Sequence, residues 1–423
     1  MTLFSLQLIM PTAARCSVLF LLLPRLATAK RVTISNTAPR LSVNGDIVNA
    51  HDGTIRWFDG AWWMHAAEYG ECWDPPHQGC EMSGPTRNAS CGFEPHHNVS
   101  IWRSPDLSSG SWQFIGHAVR CAELADCAIL YRPHLVFNPA TRLYVLFWNY
   151  VDKRGQYAGN QAATASSPAG PFTVATHAPI NTSLPTGDFD VLVDPNGGIG
   201  YIAYSAQHLL FIEQLSPDLL STTGVSAAIP GGIHPESPSP SAPSMMRQHQ
   251  KPLPPSLVAF PVRFVEAPVL FERRGRYYAL FGHCCCFCYQ GSGMFVFTAR
   301  SPLGPWTQQR EEASGRTDYG CVVNATTPAP AEQHTLPRTA VPTPGQGCLY
   351  GLRRGESAAS ATRAQQNFVL RLASGEHIWT GDRWMQAPDG IKGHEPQFWG
   401  QLAFDRAGRV QPLEWVDELT IDV

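Results

Sequence analysis

Residues 272–283, ERRGRYYALFGH, carry a pattern that recurs through this chain of 423 residues. A polar turn at Arg274 and Gly275 opens a run of alternating large residues, as in a β-hairpin that enters a strand. A second phrase follows at residues 299–306, ARSPLGPW, where another strand ends in Ser-Pro. The two phrases together describe one antiparallel sheet unit.

The same two-part phrase recurs along the chain, and 36 glycines and 36 prolines separate its short aromatic and β-branched runs. The turn-and-strand phrases are FDGAWWMHAAEYGE (58–71), NPATRLYVLFWNYVD (138–152), DPNGGIGYIAYSA (194–206) and ASGEHIWTGDRW (373–384). Their closing phrases are WRSPDLSSGSW (102–112), ASSPAGPF (165–172), QLSPDLL (214–220) and, after the last, GQLAFDRAGRVQPLEW (400–415). A sheet unit of this kind cannot bury both faces alone, so five copies predict radial repetition. We therefore predict an all-β fold, a five-bladed β-propeller.

Two proline-rich stretches interrupt the repeat, at about residues 229–256 and 326–347. Neither composition can pack a core, so both are interpreted as disordered or glycan-decorated insertions. The alternative is that they link separate small domains. Blade-like sequence on both sides of each favours a single propeller domain spanning residues 30–423.

The first 29 residues have the order of a secretory signal peptide. Arg15 precedes an apolar run, and a small-residue segment ends at Ala29. The apolar run is too short to span a bilayer, so we expect no membrane association after its removal. Sequons at Asn88, Asn98, Asn181 and Asn324 agree with a secreted, extracellular or endomembrane-lumen protein.

The charge pattern excludes some partners. The formal net charge is -3, only 15% of residues are charged, and no basic block occurs, so nothing indicates binding to nucleic acid. A neutral partner is more natural for such a surface. We expect a monomer.

Three carboxylates precede alternating strands by a few residues, at Asp52, Asp188 and Glu266. In a propeller the innermost strands line a central channel, so these side chains could meet at one mouth. Two or three carboxylates around a pocket suit cleavage of a glycosidic bond, in which one acid serves the leaving oxygen and an ionised partner activates water. The alternative is a structural role, because Asp before Gly is common in β-turns.

An ordered series of phrases resembles the propeller of glycoside hydrolase family 43, nearest its branch of exo-acting β-1,3-galactanases. The series runs from about Asn44 to the C-terminus and comprises NAHDGTI, YGE, YRPHLVFNPATRLYVLFW, GDFDVLVDPNGGIGYIAYS, VEAPVLFERRGRYYALF, SPLGPW, AQQNFVLRL and GDRW. The two proline-rich stretches have no counterpart in it. The resemblance implies an inverting hydrolase.

The resemblance also implies roles for single residues. Glu266 in VEAPVLF corresponds to the general acid, and Asp188 in GDFDVLVD to the aspartate that orients the acid and keeps it protonated. The base is either Asp52 or a glutamine of AQQNF, Gln365 or Gln366, which would hold the water. Asp52 is favoured because a carboxylate accepts a proton and a neutral amide does not.

Substrate contacts are expected at further positions. Glu71 in YGE matches a sugar-contacting position, whereas Tyr131 stands where the galactanase branch has a glutamate. Trp148 and Trp384 are candidate sugar platforms because aromatic rings stack on the C–H face of a pyranose. His51 is a candidate hydrogen-bond partner for a sugar hydroxyl. For the tryptophans and the histidine, a structural role is the alternative.

The stretch GHCCCFCY, residues 282–289, is interpreted as a disulfide-stapled wall of the pocket. A metal site on His283, Cys284, Cys286 and Cys288 is less consistent with the spacing of known zinc ligands, so no metal and no cofactor is predicted.

The whole pattern predicts a secreted hydrolase acting on O-glycosidic bonds of a neutral polysaccharide or glycan of the galactan, arabinan or xylan type. The alternative is a lectin-like propeller that binds carbohydrate without cleaving it.

Overall fold

Strands account for nearly all of the regular structure in the computed structural model. It describes residues 30–71, 73, 98–153, 157–176, 180, 182, 186–206, 209–229, 265–283, 291–309, 321–323, 358–360 and 362–423. The signal peptide and the cysteine cluster therefore lie outside the described residues, apart from the backbone of Gly282 and His283. No helix among the described residues is long and apolar enough to cross a membrane.

The strands form five antiparallel blades. After β1 (Arg31–Ser35), blade I consists of β2 (His51–Phe58), β3 (Ala61–Ala67), β4 (Asn98–Ser104) and β5 (Gln113–Arg120). Blade II consists of β6 (Cys127–Asn138), β7 (Leu143–Asp152), β8 (Tyr157–Ala165) and β9 (Thr173–Val174). Blade III consists of β10 (Phe189–Val193), β11 (Gly200–Ala206), β12 (Leu209–Leu215) and β13 (Thr222–Ala228).

The remaining strands complete the ring. Blade IV consists of β14 (Val265–Arg273), β15 (Arg276–His283), β16 (Phe295–Ala299) and β17 (Thr307–Gln308). A separate pair, β18 (Cys321–Val323) and β19 (Ala358–Ser360), precedes blade V, which consists of β20 (Gln365–Arg371), β21 (His377–Asp382) and β22 (Gln397–Gln401). The last strand is β23 (Glu418–Asp422). The predicted all-β, five-bladed propeller is confirmed.

The repeated phrases correspond to fixed parts of a blade. Each turn-and-strand phrase includes the turn after the innermost strand and the second strand, and the Ser-Pro phrases follow the third strand. The turns Asp59-Gly60 and Arg274-Gly275 have positive φ at both residues (49° and 77°, 53° and 74°). This is the conformation of a two-residue hairpin whose twist matches its strands.

The core lies between the blades. The inner strands β2, β6, β10, β14 and β20 contact one another in cyclic order. Apolar clusters then fill the space between consecutive blades, for example Phe147, Phe189 and Tyr204 between blades II and III. Each blade thus buries both faces only because it has two neighbours, which is the reason that the repeat forms a ring.

The two ends of the described chain meet. β1 pairs antiparallel with β23, from Arg31 opposite Asp422 to Ser35 opposite Glu418. Asn36 continues the connection, because its side-chain amide donates to Trp399 O at 2.9 Å and its side-chain oxygen accepts from Trp399 N at 2.7 Å. These contacts join the N-terminal strand to blade V and close the ring.

Ile229, at the start of the first proline-rich stretch, is buried at 5% exposure in the core, so the insertion begins after it.

Cys121 and Cys127 form a disulfide across the short connection between β5 and β6. The predicted disulfides of the cysteine cluster fall outside the described residues.

Candidate active site

The inner strands are irregular at one end of the channel. Register shifts interrupt β2 near Asp52, β6 near Arg132, β14 near Ala267 and β20 after Gln366. Asp52, Arg132 and Ala267 have φ of 56°, 53° and 54°, a left-handed conformation that costs about 1–3 kcal/mol for a residue other than glycine. Bulges of this kind re-aim side chains next to functional sites. The shared irregularity marks the channel mouth formed by blades I, II, IV and V.

The residue after Asp52 has to be a glycine. A Cβ atom on Gly53 would lie 2.0 Å from the carbonyl oxygen of His65 in the neighbouring strand. This close approach holds β2 against β3 at the bulge that contains Asp52.

Asp188 connects blade III to blades II and IV. Its Oδ2 accepts a hydrogen bond from the backbone N–H of Ala267 at 3.1 Å and lies 3.2 Å from Nη2 of Arg132. Ala267 is the residue after Glu266, so Asp188 fixes the backbone that carries the Glu266 side chain. Arg132 also donates to Gln366 O at 3.1 Å, which ties the same cluster to blade V.

Glu266 is partly exposed and is held from blade V. Gln365 Nε2 donates to Glu266 Oε1 at 2.8 Å, and Trp384 Nε1 donates to Gln365 Oε1 at 2.6 Å. Gln365 and Trp384 are 4% and 1% exposed, so this chain of hydrogen bonds is shielded from solvent. The arrangement fixes one oxygen of Glu266.

Asp52 is buried at 5% exposure and contacts blades I, II and V. Tyr69 donates its hydroxyl hydrogen to Asp52 Oδ2 at 2.6 Å, and Arg132 Nε lies 4.0 Å from Asp52 Oδ1. The Asp52 backbone N–H donates to Asp382 Oδ2 at 3.1 Å. Asp52 therefore lies at the same mouth as Asp188 and Glu266, with Arg132 as the common cation.

Burial and neighbouring charges shift the pKa values of two residues in this cluster, Asp52 and Arg132. Burial raises the pKa of Asp52 to about 6; Arg132 and the Tyr69 hydrogen bond oppose the rise, and the charges of Asp382 and Asp188 add to it. Burial alone lowers the pKa of Arg132, but the surrounding carboxylates, including Glu266, raise it overall. Arg132 is therefore a permanent cation among acidic side chains.

A buried hydrogen-bond network holds Asp382, the residue that accepts from the Asp52 backbone N–H. His51 Nδ1 lies 3.3 Å from Asp382 Oδ1, and His51 Nε2 lies 3.3 Å from Gly393 O. Gln397 Nε2 donates to Asp382 Oδ1 at 2.6 Å. His51 is 1% exposed, which makes it part of the framework of the mouth rather than a surface that a sugar can reach in this structure.

The predicted sugar contacts occupy different environments. Glu71 is exposed, beside Gly70, whose carbonyl accepts from Gly393 N at 3.1 Å near the mouth. Tyr131 is buried at 7% exposure and packs with Ile129 and Val151.

Two tryptophans predicted as platforms are buried. Trp148 has no exposed surface and lies in the core with Leu146 and Tyr150, so it is a packing residue and its prediction as a sugar platform is wrong. Trp384 has no usable exposed face either, and it acts by holding Gln365. Neither offers a ring face to substrate.

Arg132, Tyr69 and Asp382 belong to the site but were not singled out as candidates from the sequence. Each lies inside a phrase used for the resemblance, in YRPHL, YGE and GDRW. The signal that could have found them is a polar side chain one or two residues from a candidate position in each phrase: Arg132 follows Tyr131, Tyr69 precedes Glu71 by two, and Asp382 precedes Trp384 by two.

A second polar network lies further along the channel. His134 Nδ1 lies 2.8 Å from Asp190 Oδ1, and Asp190 Oδ2 accepts from Leu270 N at 2.8 Å. Both side chains are fully buried. In the described part of the chain no group of three His, Cys, Asp or Glu side chains is arranged to hold a metal ion.

Comparisons with known proteins give structural matches alone. No protein-family model matches the sequence, and no curated protein matches it significantly. A family GH43 β-1,3-galactosidase superposes with a TM-score of 0.59 at 17% identity, over 92% of this chain and 64% of the other, so the chain spans just under two thirds of that protein.

Two exo-β-1,3-galactanases are also similar in structure. The enzyme from Phanerochaete chrysosporium, solved as a glutamate-to-glutamine variant with β-1,3-galactotriose, has a TM-score of 0.60 at 18% identity over 93% of this chain and 69% of that one. The enzyme from Clostridium thermocellum has a TM-score of 0.58 at 19% identity over 92% and 67%. These matches confirm the predicted resemblance to the family GH43 propeller at the level of the fold.

Proposed function

We propose that this protein is a secreted glycoside hydrolase that cleaves O-glycosidic bonds of a neutral polysaccharide or glycan with inversion of configuration. The observation that carries the proposal is the position of Asp188, which holds both Arg132 and the backbone next to Glu266. Asp52 faces the same Arg132 from blade I. The galactosidase and galactanases that share the fold support this class of reaction.

Glu266 is the general acid in this proposal. It is partly exposed, so its carboxyl group can reach the glycosidic oxygen of a bound substrate, while Gln365 and Asp188 fix its orientation. As the bond between the anomeric carbon and this oxygen breaks, the oxygen takes the proton of Glu266 and departs as an alcohol. Water forms the new bond at the anomeric carbon.

Asp52 is the general base. An inverting enzyme separates its two carboxyl groups by roughly 6.5–9.5 Å, because water must stand on the opposite face of the sugar. Gln365 donates directly to Glu266 at 2.8 Å and leaves no room for a sugar between them. The Asp52 carboxylate is instead held by Tyr69 and Arg132, and it can accept a proton from water when ionised, above its pKa of about 6.

The substrate is neutral, of the galactan, arabinan or xylan type. A β-1,3-galactan is one candidate because of the similar galactanases. Tyr131 supplies no carboxylate where the resemblance expects a sugar-contacting glutamate, and it is buried. The linkage therefore has to be found by experiment.

The test is a screen of the purified mature chain against β-1,3-galactan, arabinan, xylan and the matching aryl glycosides. We expect hydrolysis of one class, with a product of inverted anomeric configuration by NMR. Retention would contradict the base assignment. Binding without hydrolysis of any substrate would instead identify a lectin-like propeller.

Secretion rests on residues 1–29 and is part of the same proposal. Expression in a eukaryotic secretory host should yield a chain in the medium that begins near Lys30 by N-terminal sequencing. An intracellular product that retains the leader would contradict it.

A further inference from the structure

Trp73 is the most exposed large hydrophobic side chain among the described residues, at 71%. It is held in place by a β-bridge between Trp73 and Ile391, so its backbone is attached to the loop before β22. An indole held in this way can stack on the apolar face of a ligand while its N–H is available for a hydrogen bond.

The position of Trp73 relates it to the catalytic mouth. Tyr69, four residues earlier, bonds Asp52. Gly70 O accepts from Gly393 N at 3.1 Å, and Gly393 O faces His51. Four residues extend at most about 14 Å, so the Trp73 backbone lies within that distance of Tyr69, the residue that bonds the base, and an oligosaccharide of a few units can extend from one to the other.

A carboxylate is fixed beside the bridge. Asp389 Oδ2 lies 2.6 Å from His394 Nδ1, and Asp389 Oδ1 accepts from Ile391 N at 3.1 Å. The Asp389 side chain is still 43% exposed, so it can accept hydrogen bonds from a ligand without rearranging. An aromatic face with a nearby oriented acceptor is the chemistry that binds a pyranose.

We propose that Trp73 and Asp389 form a binding subsite for a neutral pyranose unit of the glycan, next to the unit held at Asp52 and Glu266. The indole stacks on the C–H face of the sugar and Asp389 accepts from its hydroxyls. The subsite rests on the proposed function for the position of the neighbouring sugar, but its occupancy is measurable without turnover.

The chain offers a matched control in Trp57. It is 50% exposed and lies near the far end of β2, about 20 Å from His51 at the rise of a strand. It packs edge-on against Trp62, with ring centroids 5.3 Å apart. Trp57→Ala therefore removes an exposed indole of the same kind from the opposite end of the propeller.

The experiment is isothermal titration in a Glu266→Gln background with β-1,3-galactotriose and β-1,4-xylotriose, and with galactose and xylose. Trp73→Ala should weaken binding of the preferred trisaccharide about tenfold and leave the monosaccharide unchanged. Asp389→Asn should weaken the trisaccharide less. Trp57→Ala should change neither.

Three results would overturn the subsite: equal trisaccharide affinity in Trp73→Ala and its parent, equal loss for trisaccharide and monosaccharide, or no trisaccharide binding by the parent. Hydrolysis is assayed separately in the protein with Glu266 intact. If hydrolysis fails but the Trp73 dependence holds, the proposed reaction is wrong and the subsite stands. If hydrolysis occurs but Trp73→Ala does not weaken trisaccharide binding, the subsite is wrong and the proposed reaction stands.

Discussion

Tyr69 donates its hydroxyl hydrogen to Asp52 Oδ2 at 2.6 Å from the end of the neighbouring strand. This bond favours the ionised form of Asp52 and works against burial, which raises the pKa to about 6. The proposed base thus depends on a residue that takes no part in proton transfer, so the pH dependence of catalysis can be changed without touching the carboxylate.

Tyr69→Phe should move the acidic limb of the kcat/KM profile to higher pH by roughly one unit. The pKa of Asp52 rises when the hydrogen bond is lost, and the base has to be ionised to act. Tyr144→Phe is the control, because Tyr144 makes a similar bond to Asp59 (3.0 Å) at the other end of the propeller. An unshifted limb in Tyr69→Phe would contradict Asp52 as the base.

Asp52→Asn should increase stability at neutral pH. The folded-state pKa of Asp52, about 6, lies above its usual value of 3.8, so the contribution of this residue is largest below pH 4 and declines as pH rises to 6. Thermal unfolding from pH 4 to pH 8 should therefore show a gap in Tm between Asp52→Asn and the wild type that opens over this window. A gap independent of pH would argue against a raised pKa.

Glu266→Gln should lower kcat by about 10²–10⁴ while Tm and sugar binding persist, because the amide keeps the shape but has no acidic proton. The matched control is Glu272→Gln, on the same strand at the turn with Gly275. It should keep full activity. Equal activity in the two variants would exclude Glu266 as the acid.

Arg132→Met should raise the pKa of Asp52 and cost about 3–5 kcal/mol of stability, since the surrounding carboxylates lose their common cation. Arg132→Lys restores the charge without the hydrogen bond to Gln366 O and should lie between Arg132→Met and the wild type in both Tm and pH profile. Stability unchanged in Arg132→Met would show that the cluster is less tightly coupled than its geometry indicates.

Trp384→Phe and Trp148→Phe separate a positioning role from a packing role. Trp384→Phe leaves Gln365 Oε1 without its donor and should lower kcat about tenfold with little change in KM. Trp148→Phe should lower stability by about 1–2 kcal/mol and leave kcat and KM unchanged. Measuring Tm and kinetics for both tests the assignment.

Local features of the fold were predictable from sequence. The Asp59-Gly60 turn is specified by two residues that tolerate positive φ, the Arg274-Gly275 turn by its glycine alone, and the strands around both by alternation. The repeat then implied a ring, because a single blade leaves two apolar faces exposed. Ile229 was assigned to an insertion because the proline-rich composition that follows hides one last core residue.

The site was predictable only in part. Asp52, Asp188 and Glu266 were singled out because each was expected just before a strand; Asp188 does precede β10, whereas Asp52 and Glu266 are the second residues of β2 and β14. Asp382 was missed because its contact with Asp52 spans 330 residues and exists only once the ring closes. Trp148 was wrongly predicted to bind sugar, because in a strand of alternating large residues the sequence does not distinguish a buried tryptophan from one that faces a ligand.

The pairing of β1 with β23 has a consequence for how the protein acquires activity. Arg31 and Asp422 are 391 residues apart, and because the entropy of closing so long a loop opposes their contact, we expect it to form late in folding. Asp52 and Asp382 face each other across the same seam between blades I and V. We therefore expect a nascent chain with only four folded blades to be inactive. During refolding, activity should return only when β1 pairs with β23.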